Sequence, residues 1–207
     1  MTSASMENHT APELIGHQVP SFLVREILDG QAIYYKGYRD VLTGRRPFEE
    51  VLGDSSEKLA LIEYLTRLFL AGPDRNRYRI ITNEARLMID DQNDISGDIQ
   101  LFDAAAFPAK KEKSPYAVVA PAVHVEVDLN IEADNLTQEE YIDRKTSLLL
   151  GFGTARVIWI FTDSKKIIIA TREGEQKLDW WEEVTLTERV KFNLGEFLQE
   201  YEVSVFP

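Results

Sequence analysis

The sequence predicts a mixed α/β domain opening on a β-hairpin. Three patterns predict it: an Asp-Gly dipeptide between two β-prone stretches, two segments with apolar residues at helical spacing, and several short apolar runs of strand length. The 207 residues, 44% of them apolar, suffice for one domain with a substantial core. Residues 1–12 are small and polar without periodicity and read as a disordered tail, leaving 13–207 as the domain.

In FLVREILDGQAIYYKGY, Asp29-Gly30 favours the positive φ angles of a hairpin turn. From Ser55 to Ala71, Leu59, Ile62, Leu65, Leu68 and Phe69 recur at helical spacing, with a serine cap before them and Gly72-Pro73 as the stop. YRIITNEARLMID is strand-like, DQNDISG a polar turn, and DIQLFD a further strand, which suggests antiparallel neighbours running through Asp98. After the loop FPAKKEKSP, AVVAPAVHVEVDL puts Val123, Val125 and Val127 on one strand face and His124, Glu126 and Asp128 on the other. In LTQEEYIDRKTSLLLGFG, Thr137 and Glu140 have capping-box spacing, Leu136 can staple against Tyr141, and Gly151 or Gly153 ends the helix. RVIWIFT and KIIIAT, separated by Asp163-Ser164-Lys165, read as a hairpin of central strands. The remainder, with Trp180, Trp181 and VKFNLGEFLQEYEV, closes with a strand and a short helix.

Composition excludes several classes. There is no cysteine, so disulfides and thiolate zinc sites are out. No apolar run approaches the ~20 residues of a membrane helix, and the amino-terminal residues lack the basic start and apolar block of a signal peptide; a cytoplasmic location is expected. A net charge of -12 argues against non-specific nucleic-acid binding, which draws on cations that neutralise phosphates. It is compatible with a carboxylate cluster that holds a divalent ion. The basic groups Arg75, Arg77 and Arg79, Lys110, Lys111 and Lys113, and Lys165 and Lys166 read as solvated loops.

Lys145 lies amid the apolar stripe of Tyr141, Leu148, Leu149 and Phe152. Its ammonium either snorkels outward, forms a structural ion pair or serves a site. Glu126 and Asp128 share the polar strand face, and Asp98 ends a neighbouring strand. Such carboxylates repel unless a divalent cation lies between them, and oxygen-only ligation suits Mg²⁺ or Mn²⁺. Lys145 would then orient a metal-bound water or stabilise charge on a phosphate. With only His9 and His17 elsewhere, His124 reads as a supporting residue.

These segments together resemble the Uma-two family of restriction endonuclease-like proteins. The resemblance runs through LDGQAIYYKGYRDVLTG, FEEVLGDSS, NDISGDIQLFD, PAVHVEVDL and RKTSLLLGFGTARVIWIFTDSKKIIIAT, from roughly Glu13 to Val203. It implies a PD-(D/E)XK fold, a mixed central sheet flanked by helices, with Asp98, Glu126 and Lys145 as catalytic residues around a Mg²⁺ or Mn²⁺ ion. The usual motif has its lysine two residues after the glutamate. Here that position is Asp128, read as an additional metal ligand or a partner of Lys145, and the lysine has moved to the following helix. Glu57 and Glu63, on the first long helix, read as exposed glutamates, although related nuclease folds sometimes place a further acidic ligand there, and Thr82 and Glu84, in the strand before Asp98, are candidate neighbours of the site. The function implied is Mg²⁺-dependent phosphodiester hydrolysis in DNA, for which a homodimer would suit cutting of both strands. The alternatives are a catalytically inactive scaffold on the same fold and a metal-dependent enzyme acting on a smaller phosphate compound.

Overall fold

The opening hairpin follows from its turn. Asp29 and Gly30 both have positive φ (51° and 73°), as a two-residue connection matched to strand twist requires, and join β1 (Val24–Leu28) to β2 (Gln31–Tyr35). The computed structural model describes residues 19–82, 86–107 and 119–205. The expected tail over 1–12, His9, His17, Glu84, Lys110, Lys111 and Lys113 lie outside them. The later elements are α1 (Tyr38–Leu42), α2 (Ser56–Ala71), β3 (Tyr78–Thr82), β4 (Leu87–Asp90), β5 (Asn93–Ile95), β6 (Ile99–Asp103), β7 (Val123–Val127), β8 (Ile131–Glu132) and α3 (Gln138–Phe152). They are followed by β9 (Arg156–Phe161), β10 (Lys166–Thr171), β11 (Gly174–Asp179), β12 (Val184–Thr185), β13 (Lys191–Phe192) and α4 (Leu194–Val205).

The central sheet is six-stranded in the order β11-β10-β9-β7-β6-β3. It is mixed, because β7 and β9 run parallel while the other pairs are antiparallel. A parallel pair needs a crossover, and α3 supplies it. Alternation sends Val123, Val125 and Val127 of β7, with Ile158 and Ile160 of β9, into a core shared with Leu61, Leu65 and Phe69 of α2. Val157 and Trp159 point the other way, into a second core with Tyr141 and Leu149 of α3 and with Leu28, Ile33, Leu87 and Ile95. Those last four belong to a five-stranded antiparallel sheet, β4-β5-β1-β2-β8, on the face opposite α2.

A β-bulge between Val24 and Glu26 makes Arg25 the extra residue of β1, and Arg25 and Glu26 are buried in succession. Regular alternation would have turned one of them to solvent. α3 begins with the expected capping box: Glu140 N donates to Thr137 Oγ1 at 3.2 Å, and Thr137 N donates to Glu140 Oε2 at 2.9 Å. Gly153, with φ 129°, ends it. The buried stripe of α2 is Lys58, Leu61, Leu65 and Phe69, so Leu59 faces solvent, contrary to its place in the expected apolar set. Within the expected polar turn, Asn93–Ile95 forms β5, and the polar segment Gly174–Asp179 forms the edge strand β11, which the sequence did not announce.

Because the capping box fixes the start of α3, Thr137→Ala should lower stability by about 0.5–2 kcal/mol in denaturant unfolding.

Candidate active site

Two strands bring the first carboxylates together. β6 pairs with β7 antiparallel with Ile99 opposite Val125, which places Asp98 beside Glu126. Val127 N donates to Asp98 Oδ2 at 2.7 Å. The chain passes so close to His124 here that a Cβ on Gly97 would lie 2.4 Å from His124 Cε1. His124 is thereby held with Nε2 2.8 Å from Glu126 Oε1.

Lys145 enters from α3. Its Nζ is 2.8 Å from Glu126 Oε1 and 2.8 Å from Glu26 Oε2, and it donates to the Tyr141 hydroxyl at 3.0 Å. Tyr141 in turn donates to Glu26 Oε1 at 2.7 Å, and Ser96 donates its backbone N–H to Glu26 Oε2 at 3.1 Å. Lys58, in the first turn of α2, lies 3.0 Å from Asp98 Oδ1 and 3.0 Å from Asp54 Oδ1. Arg25 completes the set: Nη2 is 3.7 Å from Asp98 Oδ1 and 3.6 Å from Glu126 Oε2, while Nη1 donates to Asn130 O at 3.4 Å.

The group is sealed. Glu26 and Lys145 are 0% exposed, Asp98, Glu126 and Lys58 2%, and Arg25 3%. Charges removed from water at a cost of several kcal/mol each persist only when closely paired, and here each carboxylate has at least one cation against it. Burial pushes Asp98 upward to about 6, the neighbouring Glu126 adding to the effect against the pull of Lys58 and Arg25. Burial acts the same way on Glu126, but Lys145, then His124 and Arg25, hold it well below the usual carboxylate range. For Lys145, burial opposes the charge while Glu126 and Glu26 outweigh it, so the ammonium is kept far above its ordinary value.

Of the residues expected at a site, Asp98, Glu126 and Lys145 converge. Asp128 does not join them: its backbone leaves the extended region (φ 58°), and its carboxylate accepts from Thr162 N and Thr162 Oγ1, both at 2.7 Å, across the end of β9. Glu57 pairs with Lys165 at 2.6 Å and Glu63 with Arg67 at 3.2 Å, both at the surface. Thr82 sits on the edge strand β3 opposite Ile99. The residues not anticipated are Arg25, Glu26, Lys58 and Tyr141 as a hydroxyl donor. Lys58 shares the spacing of Leu61, Leu65 and Phe69, the same signal that singled out Lys145.

A divalent ion fits this arrangement poorly. Asp98 Oδ1 and Glu126 Oε2, the oxygens that would face a bridging ion, both face Arg25, and Glu126 Oε1 is shared by Lys145 and His124. Among the described residues, no group of three or more acidic, histidine or cysteine side chains is arranged to hold a metal. A cleft of about 520 Å³ runs past the carboxyl ends of β7 and β9, lined by Lys36, Asp54, Lys58, Asp128 and Asn130 among others. Lys58 and Asp54 belong to its wall; Asp98, Glu126 and Lys145 do not.

No protein-family model and no curated protein matches the sequence. Among solved structures, the chain is similar to a candidate nuclease belonging to DUF820 from Anabaena variabilis, at 13% identity and a TM-score of 0.62, over 84% of this chain and 89% of that one. The fold is therefore the expected one, a mixed central sheet flanked by helices, and it is shared with that structure. A DrdV–DNA complex matches at 17% identity over 68% of this chain and 11% of that one; its TM-score of 0.37 is too low to carry weight. No described helix is long and apolar enough to cross a membrane.

Two measurements check the electrostatics. Lys145→Met leaves Glu26 and Glu126 facing each other without their common cation and should cost about 3–5 kcal/mol, part of which Glu26→Gln in the same chain restores. Asp98 in the folded state titrates near 6 against an ordinary 3.8, so between those values the folded chain holds a proton that the unfolded chain has released. Its contribution therefore makes stability fall as pH rises through that window. The urea midpoint should drop more from pH 5 to pH 7 in the wild type than in Asp98→Asn.

Proposed function

We propose that this chain is a nuclease-fold protein of the Uma-two type in which the catalytic constellation has become a closed, ion-paired core, and that it acts as a binding or scaffold domain without hydrolysing nucleic acid. The observation that supports this most is the burial of Asp98, Glu126 and Lys145 together, with cations from the chain itself on both carboxylates. Metal-assisted phosphodiester hydrolysis needs carboxylates that open onto a place where an ion and a phosphate can arrive together. Here the cleft meets Lys58 and Asp54 instead. The net charge of -12 adds a long-range repulsion of polyanions.

A second reading keeps the enzyme. Under it the protein is a Mg²⁺- or Mn²⁺-dependent endonuclease on DNA, with Asp98 and Glu126 as ligands and Lys145 as the catalytic lysine. The observation in its favour is that these three residues, from the start of β6, from β7 and from α3, do come together on a nuclease-like fold: Asp98 immediately precedes β6 and lies beside Glu126, which pairs with Lys145.

The discriminating experiment is incubation of supercoiled plasmid and of a single-stranded oligonucleotide with wild type and Asp98→Asn, each with Mg²⁺ and with Mn²⁺. We expect wild-type cleavage no greater than that of the variant. Cleavage by the wild type that disappears in Asp98→Asn would overturn the scaffold reading and establish the enzyme.

A further inference from the structure

The cations of the closed core are not equivalent. Lys145 is tied to Glu26 and Tyr141 as well as to Glu126, and Lys58 to Asp54 as well as to Asp98. Only Arg25, of the three, reaches both Asp98 and Glu126, through one nitrogen, Nη2, at 3.7 and 3.6 Å. It arrives there because the bulge of β1 turns an additional side chain inward, with its other nitrogens directed at Asn130 O and Ser96 Oγ.

We infer that the Arg25 guanidinium is the resident cation of this site, a built-in substitute for a divalent metal ion between Asp98 and Glu126, and that it masks a latent site for Mg²⁺ or Mn²⁺. The charge pattern fits. Among the described residues, Glu26, Asp54, Asp98 and Glu126 face Arg25, Lys58 and Lys145; without Arg25, four negative charges there meet two positive ones, a deficit that one divalent cation fills. The donors uncovered would be carboxylate oxygens, the ligands that hard cations take. A guanidinium stays charged even when buried, so it can hold its place between two buried carboxylates. This inference rests on the closed-core reading and adds to it the residue that does the closing.

The test is calorimetric titration of Mn²⁺ into wild type, Arg25→Ala, Arg25→Gln, Arg25→Lys and the double variant Arg25→Ala with Asp98→Asn, with melting curves in the presence and absence of the ion. Expected are no saturable binding in the wild type or Arg25→Lys, saturable binding in Arg25→Ala and Arg25→Gln, and its loss in the double variant. At about a hundredfold excess of Mn²⁺ over Kd, the melting temperature of the two binding variants should rise by several degrees. If both variants fold but bind no Mn²⁺, the inference is overturned. If neither folds in metal-free buffer, recovery of a cooperative transition on adding Mn²⁺ supports it, and no recovery overturns it. Saturable Mn²⁺ binding by the wild type that Asp98→Asn abolishes is a different outcome: it sinks the closed-core reading itself, and with it the role given to Arg25.

Discussion

Burying an ammonium against two carboxylates constrains everything around Lys145. The charge survives at zero exposure because Glu26 and Glu126 both lie 2.8 Å away, and the ammonium in turn helps to stabilise each of those buried carboxylates. The three residues come from the first hairpin, the central sheet and the crossover helix. Two ionic contacts of one ammonium therefore tie together the five-stranded sheet, the six-stranded sheet and α3, beside the apolar core that those elements share. The capping box of α3, the bulge of β1 and the glycine beside His124 each serve that meeting by fixing where a side chain enters it.

The central sheet separates two kinds of interior. On the α2 side β7 presents three valines to an apolar core, whereas on the α3 side it presents His124 and Glu126 to a polar layer. A layer of this sort brings specificity of arrangement more than stability, because an apolar replacement of similar volume would often be as stable. A fold and the chemistry done on it are likewise separable, because chemistry resides in particular side chains. The strands that bring Asp98 to Glu126 are a matter of pairing, while the ion that neutralises them is a matter of which side chains come near.

Much of this was legible in the sequence wherever a local pattern carried it. The Asp29-Gly30 hairpin, the caps of α2 and α3 and the two faces of β7 are short-range features, and the convergence of Asp98, Glu126 and Lys145 followed from them together with the family resemblance. Asp128 was misplaced because alternation holds only while the backbone stays extended, and at Asp128 it turns into the left-handed region. Arg25 and Glu26 were missed because a bulge leaves no mark in the spacing of apolar residues. Lys58 was legible in principle: its position on the stripe of Leu61, Leu65 and Phe69 carries the same information as that of Lys145, but a stripe that includes Leu59 leaves it out.

The pairing of Glu26 with Lys145 spans 119 positions of the chain. Synthesis adds about 5–20 residues per second, so on the ribosome β1 waits roughly 6–24 seconds for its partner to be made. Until then Glu26 lacks the ammonium that offsets its burial, and leaving it and Arg25 in water avoids the cost of burying unpaired charge. The first hairpin therefore has no favourable way to seal Glu26 before α3 exists to receive it.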